Sequence, residues 1–211
     1  MGAEQLLACL ADFHARQASK EEKRSWKAEF TVDEWNRIPL LKVCACFAQD
    51  LGALERFGMR PYHGVLLSGP PSVGKTHILK LLRLFRNEWG RDRSFGLKSA
   101  QSIMHDFETE GPASIQRTAK TMYNGRFMEF AFDDILSERR GRYYGGQEVD
   151  TTAELVNIRA ELFDSHSLLT HFTTNYRRDR LEQEYGKRTT ERILGMCDPV
   201  VFPAESTCHR Y

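Results

Sequence analysis

The segment Gly69–Thr76 has the residue types and spacing that point most directly to chemistry. Its residues are Gly69, Pro70, Pro71, Ser72, Val73, Gly74, Lys75 and Thr76, which match the pattern G-x-x-x-x-G-K-[ST]. Glycine permits a tight loop whose N–H groups point at phosphate oxygens, and the following helix adds the positive end of its dipole. Lys75 is expected to reach the β- and γ-phosphates, and the Thr76 hydroxyl to bind Mg²⁺. We therefore predict a phosphate-binding loop, or P-loop, for ATP and Mg²⁺.

An apolar stretch over 127–133 ends in two adjacent acids, Asp133 and Asp134. The stretch predicts a strand, and successive side chains of a strand point to opposite sides. Asp133 can then hold Mg²⁺, usually through water, while Asp134 orients and deprotonates the water that attacks the γ-phosphate. A polar strand exit into a loop is the alternative explanation.

The next predicted strand, 168–174, is followed by Asn175. If this strand is a parallel neighbour of the first, the amide of Asn175 lies near the γ-phosphate, where it can polarise the attacking water. A Thr-Asn sequence at a strand end is also a common helix-cap or turn signal. The position of Asn175 after the acid pair favours the functional interpretation.

Arg188 and Arg192 lie four residues apart in a predicted helix over 177–195, and therefore on one face. An arginine supplied by a neighbouring subunit can stabilise the charge that develops on a transferring γ-phosphate, with a gain of about 10³–10⁵ in rate. Solvated surface residues are the alternative explanation. Arg210, near the end of the chain, is a candidate for a further phosphate contact, although an ordinary surface position explains it as well.

Short apolar segments alternate with amphipathic segments from residue 63 onward. The predicted strands are 64–68, about 95–99, 127–133, 168–174 and 199–202, and the predicted helices are 75–89, 100–108, 151–163 and 177–195. Alternation of this kind predicts an α/β fold in which helices cover both faces of a parallel sheet. Ligands of such sheets bind beyond the carboxyl ends of the strands, which is where the P-loop and the acid pair are expected.

The part of the chain before this alternation predicts two helical stretches. The first covers residues 1 to about 19 and is followed by a charged run over 20–24. The second covers roughly 33–50, where apolar residues recur at helical spacing. Trp35 and Ile38 belong to this apolar stripe, which is expected to pack in the core.

Composition excludes several classes of protein. The 211 residues are 41% hydrophobic and 28% charged, with a net charge of +1, which fits a globular domain with a substantial core. No apolar run of about 18 residues is present and no basic segment precedes the N-terminal residues, so neither a membrane span nor a secretory signal is expected. The five scattered cysteines are expected to be reduced thiols of a cytoplasmic protein.

The ordered set of motifs described above resembles that of AAA+ ATPases. More narrowly, it is similar to DnaC/DnaI-type helicase loaders and to the related IstB transposition helpers, over roughly residues 30–211. The stretch Phe132-Asp133-Asp134-Ile135, with Glu138 and Tyr144-Gly145 after it, resembles the segment around the acids in small DnaC-like ATPases. The segment from Tyr185 to Met196 resembles the arginine-bearing helix of the same group.

The resemblance implies a P-loop NTPase fold of the AAA+ type, with three layers and a central parallel five-stranded sheet in the order 5-1-4-3-2. It also gives each of the residues discussed above a role: Lys75 and Thr76 form the Walker A pair, Asp133 and Asp134 are the Walker B acids, Asn175 is sensor 1, and Arg192, with Arg188 as its rival, is the arginine finger. The chain ends soon after the strand predicted over 199–202, so a helical lid is expected to be absent. We expect residues 1–28 to form a short N-terminal helix and charged linker, and residues 29–211 to form the AAA+ ATPase core.

The resemblance also implies partners. They are ATP and ADP, further copies of the chain in an active homo-oligomer, a replicative helicase or a transposase, and single-stranded DNA. The DNA contact would lie in the region 99–122, with Lys98, Arg117 and Lys120 as candidate phosphate contacts, although ordinary surface positions explain these side chains as well. No aromatic platform for base stacking is evident in this region.

The expected function is that of an ATP-hydrolysing, oligomerising switch, a DnaC-like helicase loader in DNA replication. An IstB-like helper of DNA transposition is the alternative within the same group. A small-molecule P-loop kinase is an alternative of another class, but a kinase should show an arginine-rich lid and a pocket for its substrate. A further alternative is an adaptor that binds ATP and scarcely hydrolyses it.

Overall fold

The computed structural model describes residues 1–20, 30–88, 94–137, 146 and 148–206. The strands are β1 (Gly64–Ser68), β2 (Gly96–Ser99), β3 (Met122–Tyr123), β4 (Arg126–Phe127), β5 (Phe130–Ile135), β6 (Thr170–Thr174) and β7 (Cys197–Val201). The helices are α1 (Ala3–Lys20), α2 (Arg37–Ala48), α3 (Leu51–Arg56), α4 (Lys75–Glu88), α5 (Ala100–Glu110), α6 (Pro112–Ala119), α7 (Thr151–His166) and α8 (Arg178–Met196). None of the helices in these ranges is both long and apolar enough to cross a membrane.

Five of the strands form one parallel sheet in the order β2-β5-β6-β1-β7, flanked by helices. The predicted α/β fold is therefore confirmed. When these five strands are numbered among themselves along the chain, their order is 2-3-4-1-5. This is the order 5-1-4-3-2 read from the opposite edge of the sheet, as the resemblance to AAA+ proteins implied.

The strand predicted over 127–133 is wrong in its first half. Phe127 belongs to β4, which pairs with β3 in an antiparallel hairpin, and the sheet strand β5 begins only at Phe130. Asn124 and Gly125 form the turn of the hairpin, with φ angles of 48° and 73°. A turn with two positive φ angles matches the twist of paired strands, and Asn-Gly is the sequence that adopts it most readily.

The helix predicted over 33–50 is shorter than expected, because α2 spans Arg37–Ala48 and a separate helix, α3, begins at Leu51. Gln49 ends α2 in the left-handed conformation, and the Asp50 carboxylate caps the first turn of α3. Trp35 precedes α2 and is 48% exposed, while Ile38 in its first turn is 49% exposed. The core packing predicted for these two side chains is therefore wrong.

The chain folds as two compact units, and the first contains α1 to α4. Helix α1 packs against α2 and α4, and the ring of Phe13 meets that of Phe85 edge to face with centroids 5.6 Å apart. The Ala3 N–H donates to the Asp50 carboxylate at 2.9 Å. This bond is the largest cause that lowers the pKa of Asp50 below its usual value. Helix α1 is thus part of the core of this unit.

A buried arginine holds together three segments of the second unit, which contains α5 to α8. Arg159 of α7 has no exposed surface. Its guanidinium donates to Thr170 Oγ1 at 2.8 Å and to the backbone oxygens of Leu169 at 2.7 Å and of Ala119 and Met128 at 3.1 Å. Burial lowers the pKa of Arg159 to about 10, so the group is still charged at neutral pH.

Arg159→Met keeps most of the apolar side chain and removes these four hydrogen bonds. We expect the free energy of unfolding to fall by about 3 kcal/mol or more, because each buried polar group left unsatisfied costs about 1–3 kcal/mol. Urea titration followed by circular dichroism measures the change. Arg83→Met alters an exposed arginine of α4 and should shift stability by less than about 0.5 kcal/mol. Equal effects of the two substitutions would contradict the role given to Arg159.

Candidate nucleotide and acid-pair sites

The P-loop lies between β1 and α4, as predicted. Its backbone turns through positive φ angles at three positions, 146° at Gly69, 72° at Ser72 and 93° at Gly74. Helix α4 begins at Lys75, so its first N–H groups face the loop. Backbone donors at a helix N-terminus form a cradle suited to phosphate oxygens.

Gly69 is required by the close approach of the chain after β7. The Phe202 N–H donates to Ser68 O at 2.8 Å, which brings the two segments into contact. A Cβ atom on Gly69 would lie 2.4 Å from Phe202 O, well inside van der Waals contact. Only glycine fits at this position, so the first glycine of the motif serves packing as well as loop geometry.

The Lys75 side chain is only 6% exposed and lies within the loop. Its Nζ donates to Gly69 O at 2.8 Å and to Pro70 O at 2.7 Å. Hydrogen bonds to these two carbonyls hold the ammonium group inside the loop, where a bound phosphate group would lie. The ammonium, the loop N–H groups and the Thr76 hydroxyl together fit a magnesium nucleotide.

A cleft enclosing about 230 Å³, part of it open to solvent, lies beside the P-loop in the first unit. Apolar and aromatic side chains form much of its wall, and the full lining is Phe30, Thr31, Asn36, Leu40, Val73, Gly74, His77 and Phe202. The rings of Phe30 and His77 are nearly parallel, with centroids 6.1 Å apart. Sequence analysis missed this cleft because its lining comes from three separated segments.

The two acids lie at a bulge in β5. The pairing of β5 with β6 shifts by one residue between Phe132 and Ile135, and Asp134 has a φ angle of 58°. The regular strand end expected here is therefore wrong, because a left-handed residue interrupts the alternation of side chains. The bulge leaves Asp133 and Asp134 partly exposed at the end of the strand.

A single hydroxyl group connects both acids. Thr173 Oγ1 donates to Asp133 Oδ1 at 2.6 Å and accepts from the Asp134 N–H at 2.8 Å. Thr173 is fully buried, so its hydroxyl is shielded from solvent. Sequence analysis singled out the Thr-Thr-Asn segment for its asparagine alone and missed this contact, which depends on the bulge.

Asn175 contacts the second acid directly. Its Nδ2 donates to Asp134 Oδ1 at 2.7 Å. The structure therefore brings together three of the predicted side chains, Asp133, Asp134 and Asn175. The loop that follows is held by Tyr185 of α8, whose hydroxyl accepts from the Leu136 N–H at 2.8 Å.

The two predicted arginines differ in their surroundings. Arg192 is partly buried and donates to Asn157 Oδ1 of α7. Arg188 is exposed, and among the described residues it has no ion-pair or hydrogen-bond partner. Helix α8 is interrupted before both of them, at Gly186. Arg210, Glu138, Tyr144 and Gly145 lie outside the described residues.

The predicted magnesium ligands are the Thr76 hydroxyl and the Asp133 carboxylate. Oxygen donors of this kind, few in number and completed by water and phosphate, suit Mg²⁺. Across the described ranges, no group of three or more His, Cys, Asp or Glu side chains is arranged to hold a metal ion. The residues present thus fit a metal that is bound mainly through its nucleotide.

Solved structures share this fold, although no model of a protein family and no curated protein sequence matches the chain. The DnaC helicase loader matches with a TM-score of 0.52 at 18% identity, covering 81% of this chain and 92% of that one. DnaI matches with a TM-score of 0.55 at 16% identity, covering 83% and 91%. The replication initiator DnaA, bound to AMPPCP and single-stranded DNA, matches with a TM-score of 0.52 at 19% identity, covering 82% and 48%.

These likenesses show that the chain shares the fold of the DnaC, DnaI and DnaA structures. The chain spans nearly the whole of the matched DnaC and DnaI structures and about half of DnaA. The resemblance expected from the motifs is thereby confirmed at the level of the fold. Chemistry and partners have to be argued from this chain's own residues.

Proposed function

We propose that this chain is an ATP-binding and ATP-hydrolysing switch that assembles into a homo-oligomer and acts as a helicase loader in DNA replication. The observation that carries the proposal is a complete P-loop with a buried Lys75 on the fold of DnaC and DnaI. ATP and Mg²⁺ are its cofactors. A helper role in DNA transposition is the alternative, and it would use the same site with another partner.

ATP binding draws on the first unit. The P-loop and Lys75 receive the phosphates, and the cleft lined by Phe30 and His77 receives the adenine base. An aromatic and apolar wall suits a flat heterocycle. The bound AMPPCP of the matching DnaA structure supports a nucleotide as ligand.

Hydrolysis draws on the acids of the second unit. Asp133 is the proposed carboxylate ligand of Mg²⁺, and Asp134 orients and deprotonates the attacking water. The hydrogen bond from Asn175 to Asp134 keeps this carboxylate in one orientation. Thr173 holds the backbone of Asp134 and the carboxylate of Asp133, so it acts as a positioning residue for the pair.

The arginine finger is the part of the site that depends on assembly. Arg188 is the better candidate, because it is exposed and has no partner within the described residues, whereas Arg192 is engaged with Asn157. An exposed guanidinium can reach a phosphate of the neighbouring subunit without first breaking a bond within its own chain. ATP then signals assembly, and hydrolysis ends it.

Two elements of the proposal concern organisation and location. Residues 29–211 would form the ATPase core, and helix α1 of the N-terminal 28 residues would pack on it through α2 and α4. The replicative helicase is the partner that the loader function requires. A cytoplasmic location follows from that partner.

Lys75→Ala is expected to weaken binding of Mg²⁺–ATP by about ten-fold to a hundred-fold, because a charge-assisted hydrogen bond contributes about 1.5–3 kcal/mol. Isothermal titration calorimetry measures the affinity. Lys80→Ala removes an exposed lysine from the same helix and should bind as the parent does. Unchanged affinity of Lys75→Ala would refute ATP binding by this loop.

Thr173→Val keeps the shape of the side chain and removes the hydroxyl that connects the acids. We expect the rate of hydrolysis at saturating ATP to fall roughly ten-fold or more, since small misplacements of reacting groups have effects of this order. The Mg²⁺ concentration needed for half-maximal rate should rise, and Thr173→Ser should restore both values.

Thr174→Val is the matched control for Thr173→Val. Thr174 is equally buried, but its hydroxyl donates to the backbone oxygen of Ile135 and not to an acid. It should keep the Mg²⁺ requirement of the parent. Should both valine variants change the Mg²⁺ requirement alike, Thr173 would have a structural role only.

Arg188→Ala is expected to abolish the increase of hydrolysis with protein concentration, a loss of about 10³ or more in the assembled rate. ATP binding by the isolated subunit should stay unchanged. Mixing it with Lys75→Ala should restore hydrolysis, because the second variant lends its arginine to the intact P-loop of the first. Lys187→Ala, an exposed neighbour, is the control.

The same measurements on Arg192→Ala decide between the two arginines. If only this variant loses assembly-dependent hydrolysis, the finger is Arg192. If each single variant keeps it, the arginine-finger assignment is wrong while ATP binding stands.

A further inference from the structure

The hairpin of β3 and β4 presents an unusual surface. Met122 and Tyr123 are 56% and 59% exposed, which places them among the most exposed large apolar side chains of the described chain. Tyr123 is paired with Arg126 across the hairpin. Paired residues of an antiparallel ladder lie on the same face, so the aromatic ring and the guanidinium are neighbours.

The hairpin is a firmly built platform. Its turn is closed by Asn124 and Gly125 with the φ angles that favour a tight two-residue turn. The Met128 N–H donates to Thr121 O at 2.9 Å. At its base, the ring of Phe127 meets His166 of α7 edge to face, with centroids 4.9 Å apart. The exposed side chains are therefore displayed on a fixed backbone.

The hairpin and the end of α6 before it carry an excess of positive charge. Residues 117–128 contain Arg117, Lys120 and Arg126 and no acidic residue. Arg117 is paired with Glu110, but within the described part of the chain Lys120 and Arg126 form no ion pair and are exposed. Two cations without an internal partner flank the exposed tyrosine.

The hairpin adds to the surface expected from the sequence. Lys98, a predicted phosphate contact, is paired with Asp106 and bonded to Thr118, and Arg117 is likewise engaged. Of the three predicted cations, Lys120 is the one that forms no ion pair within the described residues. The aromatic residue that the sequence did not reveal in 99–122 follows directly after this region, as Tyr123.

We infer that the β3–β4 hairpin is a contact site for single-stranded nucleic acid, with the Tyr123 ring stacked on a base and Lys120 and Arg126 on the adjacent phosphates. A flat ring beside unpaired cations matches a chain of alternating bases and phosphates. Bases of a duplex are already stacked on one another and cannot pack on the ring in this way. An acidic protein segment would pair with the cations, but its carboxylates would not stack on the exposed ring.

The inference rests on the proposed function in one respect, since it names single-stranded nucleic acid as a partner of the proposed switch. The hairpin itself is separate from the acids. Strand β4 leads through Met128 and Glu129 into the first residue of β5, whereas the acids lie at the other end of that strand. Substitutions in the hairpin are therefore expected to leave ATP binding unchanged. A variant that no longer binds the nucleic acid but still binds ATP can therefore be distinguished from a variant that has lost ATP binding.

Fluorescence anisotropy with labelled dT20 measures the contact, on the full chain with and without Mg²⁺–AMPPCP. Tyr123→Ala should weaken binding by about five-fold or more, the lower end of what one base–aromatic stack contributes, while Tyr123→Phe keeps the ring and should bind as the parent does. Arg126→Ala should weaken binding and reduce the slope of log K against log salt concentration by about 0.7, as expected for one phosphate contact to a single strand.

Arg83→Ala, which removes an exposed arginine from α4, is the matched control for loss of charge and should change neither value by as much as Arg126→Ala. The same oligonucleotide annealed to its complement should bind more weakly than the single strand. The inference is overturned if the parent does not bind dT20 with or without Mg²⁺–AMPPCP. It is also overturned if the Tyr123→Ala and Arg126→Ala variants bind dT20 as tightly as the parent does. Preference for an acidic peptide, poly-Glu, over dT20 would assign the hairpin to a protein partner instead.

Discussion

The buried guanidinium of Arg159 is the interaction on which the second unit depends. It bonds to the end of α6 at Ala119, to the segment before β5 at Met128, and to the start of β6 at Leu169 and Thr170. A charge taken out of water is unfavourable unless it is surrounded by acceptors, so these segments have to stay where the guanidinium can reach them. The starting points of β5 and β6 are thereby fixed relative to each other.

Fixed starting points determine what happens at the other ends of the same strands. The pairing of β5 and β6 is regular from Phe130 to Phe132, and then one extra residue appears on β5. That extra residue brings the Asp134 N–H and the Asp133 carboxylate to the same hydroxyl, that of Thr173. A slip of one residue would exchange the two faces of β6 and separate the threonine from the acids.

A second buried contact, made by His171, involves the strand that precedes the P-loop. His171 of β6 accepts the Val65 N–H of β1 at its Nδ1, so its Nε2 carries the proton that bonds to Glu129. One imidazole thus connects the start of β1 with the residue before β5. Strand β1 is thereby aligned with β6, and the P-loop follows β1 directly along the chain.

Local patterns were sufficient to predict much of the fold. The P-loop, strands β1, β2 and β6, and helices α4, α5, α7 and α8 each follow from consecutive residues with one period or one motif, whereas α6 was not predicted. The bulge at Asp134 and the clasp by Thr173 could not be predicted, because they arise from pairing between segments about forty residues apart. Trp35 and Ile38 fit the apolar period of α2 and are nevertheless exposed, since periodicity identifies a stripe but not what covers it. The Asn124–Gly125 pair is a hairpin signal in the sequence. It was missed because the apolar run over 127–133 was interpreted as one continuous strand.

Helix α8 relates the acids to the arginines. Its first half supplies Tyr185, which holds the loop after the acids through Leu136, a residue with a left-handed φ angle of 72°. The helix is then broken at Gly186, with φ 79° and ψ 160°, and its second half carries Arg188 outward. A continuous helix would move any shift at Tyr185 directly into the arginines, whereas a break allows the two halves to change direction independently. In the proposed assembly, the acid loop of one subunit and the exposed arginine that it lends to a neighbour therefore lie on either side of the break at Gly186.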